Sequence, residues 1–158
     1  MTSEKKQEFT LRISQANKSQ LVVILYELFF FYVEEAQASF SEGNVADYVS
    51  ELGKAHDCLN ELIGSLNFEQ ELSQKLLQFY FYVSAHIGAA IGSRKPEPLE
   101  DPVRMMKRHY EIYKADAAND TSAPVMGHTQ TVYAGLTYGK TDLNVNREDG
   151  SGSRGFFA

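Results

Sequence analysis

One run constrains this chain more than any other feature. Residues 21–33, LVVILYELFFFYV, are apolar at twelve of thirteen positions and broken only by Glu27. So much apolar surface must be hidden from water, and the length of the run limits how. A membrane-spanning helix needs roughly 20 consecutive apolar residues, so thirteen with an internal carboxylate do not span. An export signal is the rival reading, because Lys5, Lys6, Arg12 and Lys18 precede the run and Ala36-Gln37-Ala38 follows it. Glu27 inside the run and Glu34-Glu35 just before the supposed cut argue against it, and the pattern continues afterwards without a break. The run reads as a helix of a folded domain.

That helix carries more apolar side chains than one buried face requires. Leu21, Leu25, Leu28, Tyr32 and Ala36 form one stripe, and Val23, Tyr26, Phe30 and Val33 form a second on roughly the opposite side. A helix at the surface of a bundle needs one stripe only. Residues 79–83, Phe79-Tyr80-Phe81-Tyr82-Val83, repeat the excess, with an aromatic or branched side chain on every face. Either these helices are central and walled in by the rest of the chain, or they leave a hydrophobic groove that receives an apolar peptide. The two readings are compatible if a terminus covers the groove until a partner displaces it. On the groove reading, the partner-binding residues are Val23, Tyr26, Phe30, Val33, Phe81 and Tyr82.

Periodicity supplies the remaining helices. Gly43-Asn44 ends the first, with Asn44 as N-cap and Asp47 at the third helical position. Val45, Val49, Leu52, His56, Leu59, Ile63 and Leu66 then recur at 4-3-4-3 spacing, one continuous face of a second helix. Asn67, with Gln70 three residues on, reads as a capping box for a third helix carrying Leu72, Leu76, Phe79, Val83 and Ile87. After Arg94-Lys95-Pro96-Glu97-Pro98 a fourth stripe follows: Leu99, Val103, Met106, Tyr110 and Tyr113. Pro102 is either its first helical residue, capped by Asp101, or the site of a kink after an earlier turn. Short joints between helices favour antiparallel neighbours. The expected fold is all-α: an antiparallel four-helix bundle over residues 18–117, preceded by an irregular N-terminal arm over 1–17 and followed by a Gly/Asn/Thr-rich tail over 118–158. Phe9 of the arm, and Tyr133, Leu136 and Tyr138 of the tail, are apolar enough to occupy the groove as a built-in competitor.

Charge narrows the function classes. The chain has a formal net charge of −6, and residues 19–93 hold two basic side chains against ten acidic ones. An acidic body of this kind repels nucleic acid and anionic lipid. The single cysteine, Cys58, fits a reducing compartment such as the cytoplasm. No enzyme site survives inspection. Gly135 and Gly139-Lys140-Thr141 imitate a phosphate-binding loop, but the glycines enclose three residues where the motif needs four. His56, Asp57 and Cys58 are consecutive, and consecutive residues on a helix point about 100° apart and cannot converge. The histidines show no metal-ligand spacing around Cys58. No catalysis, no metal and no cofactor is expected.

Several segments, in order, resemble the FliS family of flagellar secretion chaperones: Leu25-Tyr26-Glu27; Lys54-Ala55-His56-Asp57 with Asn60-Glu61-Leu62 and Ser65-Leu66-Asn67; Glu71-Leu72-Ser73; Tyr80-Phe81-Tyr82; and Pro96-Glu97-Pro98-Leu99-Glu100. The likeness covers roughly residues 13–115 and rests on order and spacing together. Phe81 departs from the family pattern, which usually has Asp there, and Tyr113 stands where Trp is common. The resemblance implies a small helical bundle in the bacterial cytoplasm. Its implied partner is the disordered C-terminal segment of flagellin, kept from premature polymerisation and passed on to the flagellar export gate. A self-associating bundle, or a regulatory protein with a non-flagellin partner, is the alternative, and homo-oligomerisation stays open.

Overall fold

The computed structural model describes residues 1–125, and among them every regular element is helical. Five α-helices follow one another: α1 Ser3–Gln15, α2 Lys18–Ser41, α3 Val45–Gly64, α4 Glu71–Ser93 and, after a 3-10 turn at Glu97–Leu99, α5 Glu100–Asn119. The chain divides into two compact units. One is Ser19–Thr121; the other is Met1–Lys18 together with the segment beginning at Ser122.

In the larger unit, cross-helix contacts fix the directions. Tyr48 near the start of α3 bonds the Lys95 carbonyl just past the end of α4, while His56 meets Ser84. Phe40 of α2 lies against Tyr48 of α3, and Tyr32 of α2 against Lys54 of α3. Ser19 bonds Asp120, Tyr26 faces Tyr113, and Phe30 faces Tyr110. As numbers rise along one helix they fall along its partner, so α2 runs antiparallel to α3 and α5, and α3 antiparallel to α4. The expected four-helix bundle is present.

Helix ends follow local chemistry. Gly43, at φ +78°, closes α2: its N–H reaches Phe40 O at 3.0 Å, and the Asn44 N–H reaches Ser39 O at 2.9 Å. Asn44 then caps α3, its Oδ1 accepting from the Asp47 N–H at 3.1 Å, as its sequence position predicts. The capping box expected at Asn67 is not formed. Asn67 Oδ1 accepts from Glu69 N–H in a turn, and α4 begins four residues later at Glu71. Pro102 sits in the first turn of α5, where its missing N–H costs nothing, with the 3-10 turn before it. The buried line of α3 is Tyr48, Leu52, Ala55, Leu59 and Leu62, with Cys58 beside it. It shares Leu52 and Leu59 with the predicted stripe, while Val45 and His56 lie at its flank. Tyrosine and alanine carry the burial that a count of aliphatic residues misses.

The irregular N-terminal arm is corrected: residues 3–15 are helix. Phe9 and Ile13, four residues apart, are buried while Leu11 between them is 58% exposed, a helical spacing of burial. Thr2 caps the helix through the Lys5 N–H, and Glu8 pairs with Lys5 at 3.1 Å. Lys5 and Arg12 lie over the Phe9 ring. Beyond α1, Ala16 O accepts from Val125 N–H at 2.9 Å, and the buried Asn17 donates to Ser122 O.

At the C-terminus of α4, Arg94 takes the role that Gly43 has in α2. Lys95 N–H reaches Ala90 O at 3.2 Å and Arg94 N–H reaches Ile91 O at 3.3 Å, which requires φ +55° at Arg94. A side chain in that left-handed conformation costs roughly 1 kcal/mol. Arg94→Gly is expected to stabilise the chain by about 0.5–1 kcal/mol in chemical denaturation; a destabilised variant would show that the Arg94 side chain holds the turn.

Candidate functional site

The surplus aromatics of the sequence divide between two places. On α2, Tyr26, Phe29 and Tyr32 are spent inside the bundle, Phe30 and Phe31 are half-buried and Phe40 is 38% exposed. Tyr26 is fully buried and its hydroxyl lies 2.9 Å from that of Tyr80 on α4. Tyr113 of α5 is electrostatically coupled to Tyr80, so three phenols on three helices form one cluster. The Tyr26 ring lies 5.4 Å from the Tyr113 ring and 6.5 Å from that of Tyr110. Tyr110 donates to Glu27 Oε1 at 3.0 Å, placing the one acidic residue of the apolar run at the α2–α5 boundary. A buried phenol left without a partner would cost about 1–3 kcal/mol, and this chain avoids it.

Val23 and Val33 are likewise buried. Val23, Tyr26 and Val33, expected as partner-facing, are thus covered in this structure, with α4 and α5 lining the Tyr26 side of α2. Phe30 is half-buried, edge-on to Tyr110 at 5.7 Å and next to Phe29. Phe9 is buried in α1, and Tyr133, Leu136 and Tyr138 lie outside the described residues.

The surplus of α4 is different. Phe81 is 57% exposed and Tyr82 36% exposed. They form an outward crest with Ala85 and Ala89, which are also exposed. Tyr82 is held by its neighbours. The His86 ring is 4.2 Å from it, with His86 Nδ1–H donating to Tyr82 O at 2.8 Å. Phe79 lies nearly parallel to Tyr82, and its other side meets His109 of α5 at 4.1 Å. Burial lowers the His109 pKa below its ordinary value, which keeps the imidazole neutral in this apolar setting. The contribution of Phe79 and His109 was not legible in the sequence, because it depends on how α4 and α5 are set side by side. Phe79 lies on the predicted stripe of its helix, whereas nothing in the spacing marks His109.

Cys58 is fully buried, and burial pushes its thiol pKa up, away from thiolate reactivity. His56 is held between Ser84 Oγ at 2.8 Å and Asn60 Nδ2 at 3.3 Å. The Asn60 amide donates to Nδ1, so Nε2 carries the proton and donates to Ser84. Among the described residues no group of His, Cys, Asp and Glu could hold a metal ion, and no helix is long and apolar enough to cross a membrane. What the crest can do is bind: it offers aromatic and small apolar side chains on a helix whose opposite side is anchored in the core.

The division between core and crest is measurable. Phe81→Glu should change stability by less than about 0.5 kcal/mol, whereas Phe30→Glu forces a carboxylate against Tyr110 and should cost about 2–4 kcal/mol. Equal losses in thermal denaturation would contradict this assignment.

Burial also raises the pKa of Tyr26, Tyr80 and Tyr113 above the ordinary value of 10.0. The folded chain therefore keeps protons that the unfolded chain releases. The stabilisation is complete below about pH 10 and is lost as pH rises further. In an alkaline titration, ionisation of the buried tyrosines should coincide with loss of helical circular dichroism. Full ionisation with the helix signal intact would show that these hydroxyls are accessible.

The family model described as "Flagellar protein FliS" matches residues 1–120 of the chain. No curated protein matches it.

Proposed function

The chain belongs to the FliS family, and from that premise we propose that it is a cytoplasmic flagellar export chaperone that holds the disordered C-terminal segment of flagellin. The observation that carries the reading is the crest of α4. Of the aromatic surplus, Phe81 and Tyr82 are exposed, on the outer side of a helix whose other face is locked by Tyr80, Val83 and Ile87. A disordered amphipathic segment can place apolar side chains against such a crest and lose less conformational entropy than by folding alone. Recognition is then apolar at its centre, with the acidic body supplying rim contacts that set orientation. Covering the client's assembly-prone segment keeps it from polymerising until the chaperone passes it to the export gate. No covalent step is required of the chaperone.

Calorimetric titration of the C-terminal segment of a co-encoded flagellin into the full-length chain tests this reading. Submicromolar binding is expected, weakened at least about tenfold, or 1.4 kcal/mol, in the Phe81→Glu and Tyr82→Glu variants with their thermal unfolding unchanged. No binding to the folded wild type, with sedimentation showing a Phe81-dependent dimer, would replace the chaperone reading with the self-associating bundle.

A further inference from the structure

A second exposed apolar surface lies away from the crest, at the end of the larger unit where α3 hands over to α4. Phe68, at the tip of the connecting turn, is 55% exposed; Leu72, in the first turn of α4, is 61% exposed; Ile112 of α5 is 62% exposed. Large apolar side chains this open on a folded unit need a reason when they gather in one place.

Register gathers them. Leu72, Leu76 and Phe79 recur at four and three residues along one line of α4, and Phe79 touches His109 of α5. One turn back from Phe79 is Leu76, and one turn on from His109, in the antiparallel α5, is Ile112. One turn further in the same direction come Leu72 on α4 and Asp116 on α5. Leu72 and Ile112 therefore border one seam between the two helices, and Phe68 stands at its open end. The turn that presents Phe68 is held by Asn67, whose Oδ1 accepts from Glu69 N–H and whose carbonyl accepts from Gln70 N–H.

The surroundings are acidic. Phe68-Glu69-Gln70-Glu71-Leu72 interleaves two apolar anchors with two exposed carboxylates, and neither Glu69 nor Glu71 is paired with a cation among the described residues. Asp116 is exposed across the seam. The nearby cations are Lys75 of α4 and, on α5, Arg108 one turn from Ile112 and Lys114, the last lying 5.6 Å over the Tyr110 ring. The unit that contains both helices, residues 19–121, carries sixteen acidic side chains against eight basic ones, so its field favours a cationic partner.

We propose that this end of the α4–α5 seam docks a basic amphipathic helix of a second protein. A seam between two helices accepts a third helix by ridge-into-groove packing. The partner's apolar face covers Phe68, Leu72 and Ile112, and its Lys or Arg side chains meet Glu69, Glu71 and Asp116. Leu72 is nine residues from Phe81, roughly 13 Å along α4. The surface is thus separate from the crest, and the proposal stands whether or not the crest holds flagellin.

The test uses the full-length chain and two synthetic helical peptides of about 18 residues, one built from Leu and Lys and its counterpart from Leu and Glu. Calorimetry should show binding of the Leu/Lys peptide and none of the Leu/Glu peptide. The double variant Phe68→Ser/Leu72→Ser, which leaves the charge unchanged, should lose at least tenfold in affinity with unaltered thermal unfolding, and Ile112→Ser should weaken binding in the same sense. Glu69→Gln/Glu71→Gln should weaken binding several-fold and reduce its salt dependence, whereas Phe81→Ser should leave it unchanged. Affinity that survives the double serine variant, equal binding of both peptides, or binding of neither would overturn the proposal. So would a dimer in sedimentation that disappears in the double serine variant, since that would assign the surface to a second copy of this chain.

Discussion

The buried Tyr26–Tyr80 hydroxyl pair, with the Tyr113 ring packed against Tyr26, is the constraint on which the larger unit depends. It joins α2, α4 and α5 at one point, and each phenol in it brings a large ring that must also be packed. A hydrogen bond here is worth about 1 kcal/mol net, but a lost partner would leave a buried polar group at higher cost. The cluster therefore specifies more than it stabilises. It fixes the rotation of α4 about its own axis by requiring Tyr80 to point inward. With Tyr80 inward, Phe81 and Tyr82, the next two residues, are turned out by the helical repeat. The exposed crest follows from the buried cluster.

The far end of α4 is fixed by another tyrosine. Tyr48 of α3 is fully buried, and its hydroxyl donates to Lys95 O at 2.8 Å, just beyond the left-handed Arg94. An orphan carbonyl at a helix terminus thus finds a donor from the neighbouring helix. Together with the His56–Ser84 bond, this holds α4 against α3 while its outer side stays free. A rigid element with one exposed apolar face is the arrangement a binding protein needs, because little order must be created on association.

Much of this was legible in the sequence, and the failures have physical causes. Helix period and the Gly43-Asn44 break located α2 and α3, since burial and capping act over a few residues. The double stripe of α2 correctly indicated more than one buried face. It could not say whether partner or core covers Val23, Tyr26 and Val33, because that depends on where α5 lies nearly ninety residues later. The N-terminal helix was missed because Phe9, Leu11 and Ile13 fit a two-residue repeat as well as Phe9 and Ile13 fit a helical one. Thr2 as cap and the Lys5–Glu8 pair were the discriminating signals. Leu72 read as core by its spacing, yet lies open in the first turn of α4, where no helix covers it. Of the expected contact residues, Phe81 and Tyr82 remain on the surface, where they can meet a partner.

The central claim is that a client meets the outer crest of α4 and leaves the Tyr26 cluster closed. Backbone hydrogen exchange of the full-length chain, with and without the flagellin C-terminal segment, tests it most directly. The account predicts new protection centred on residues 79–89 of α4, with α2 as slow to exchange in the free chain as in the complex. New protection over residues 23–33 of α2, together with faster exchange in that helix before the segment is added, would contradict it and show that the second stripe of α2 opens to receive the client.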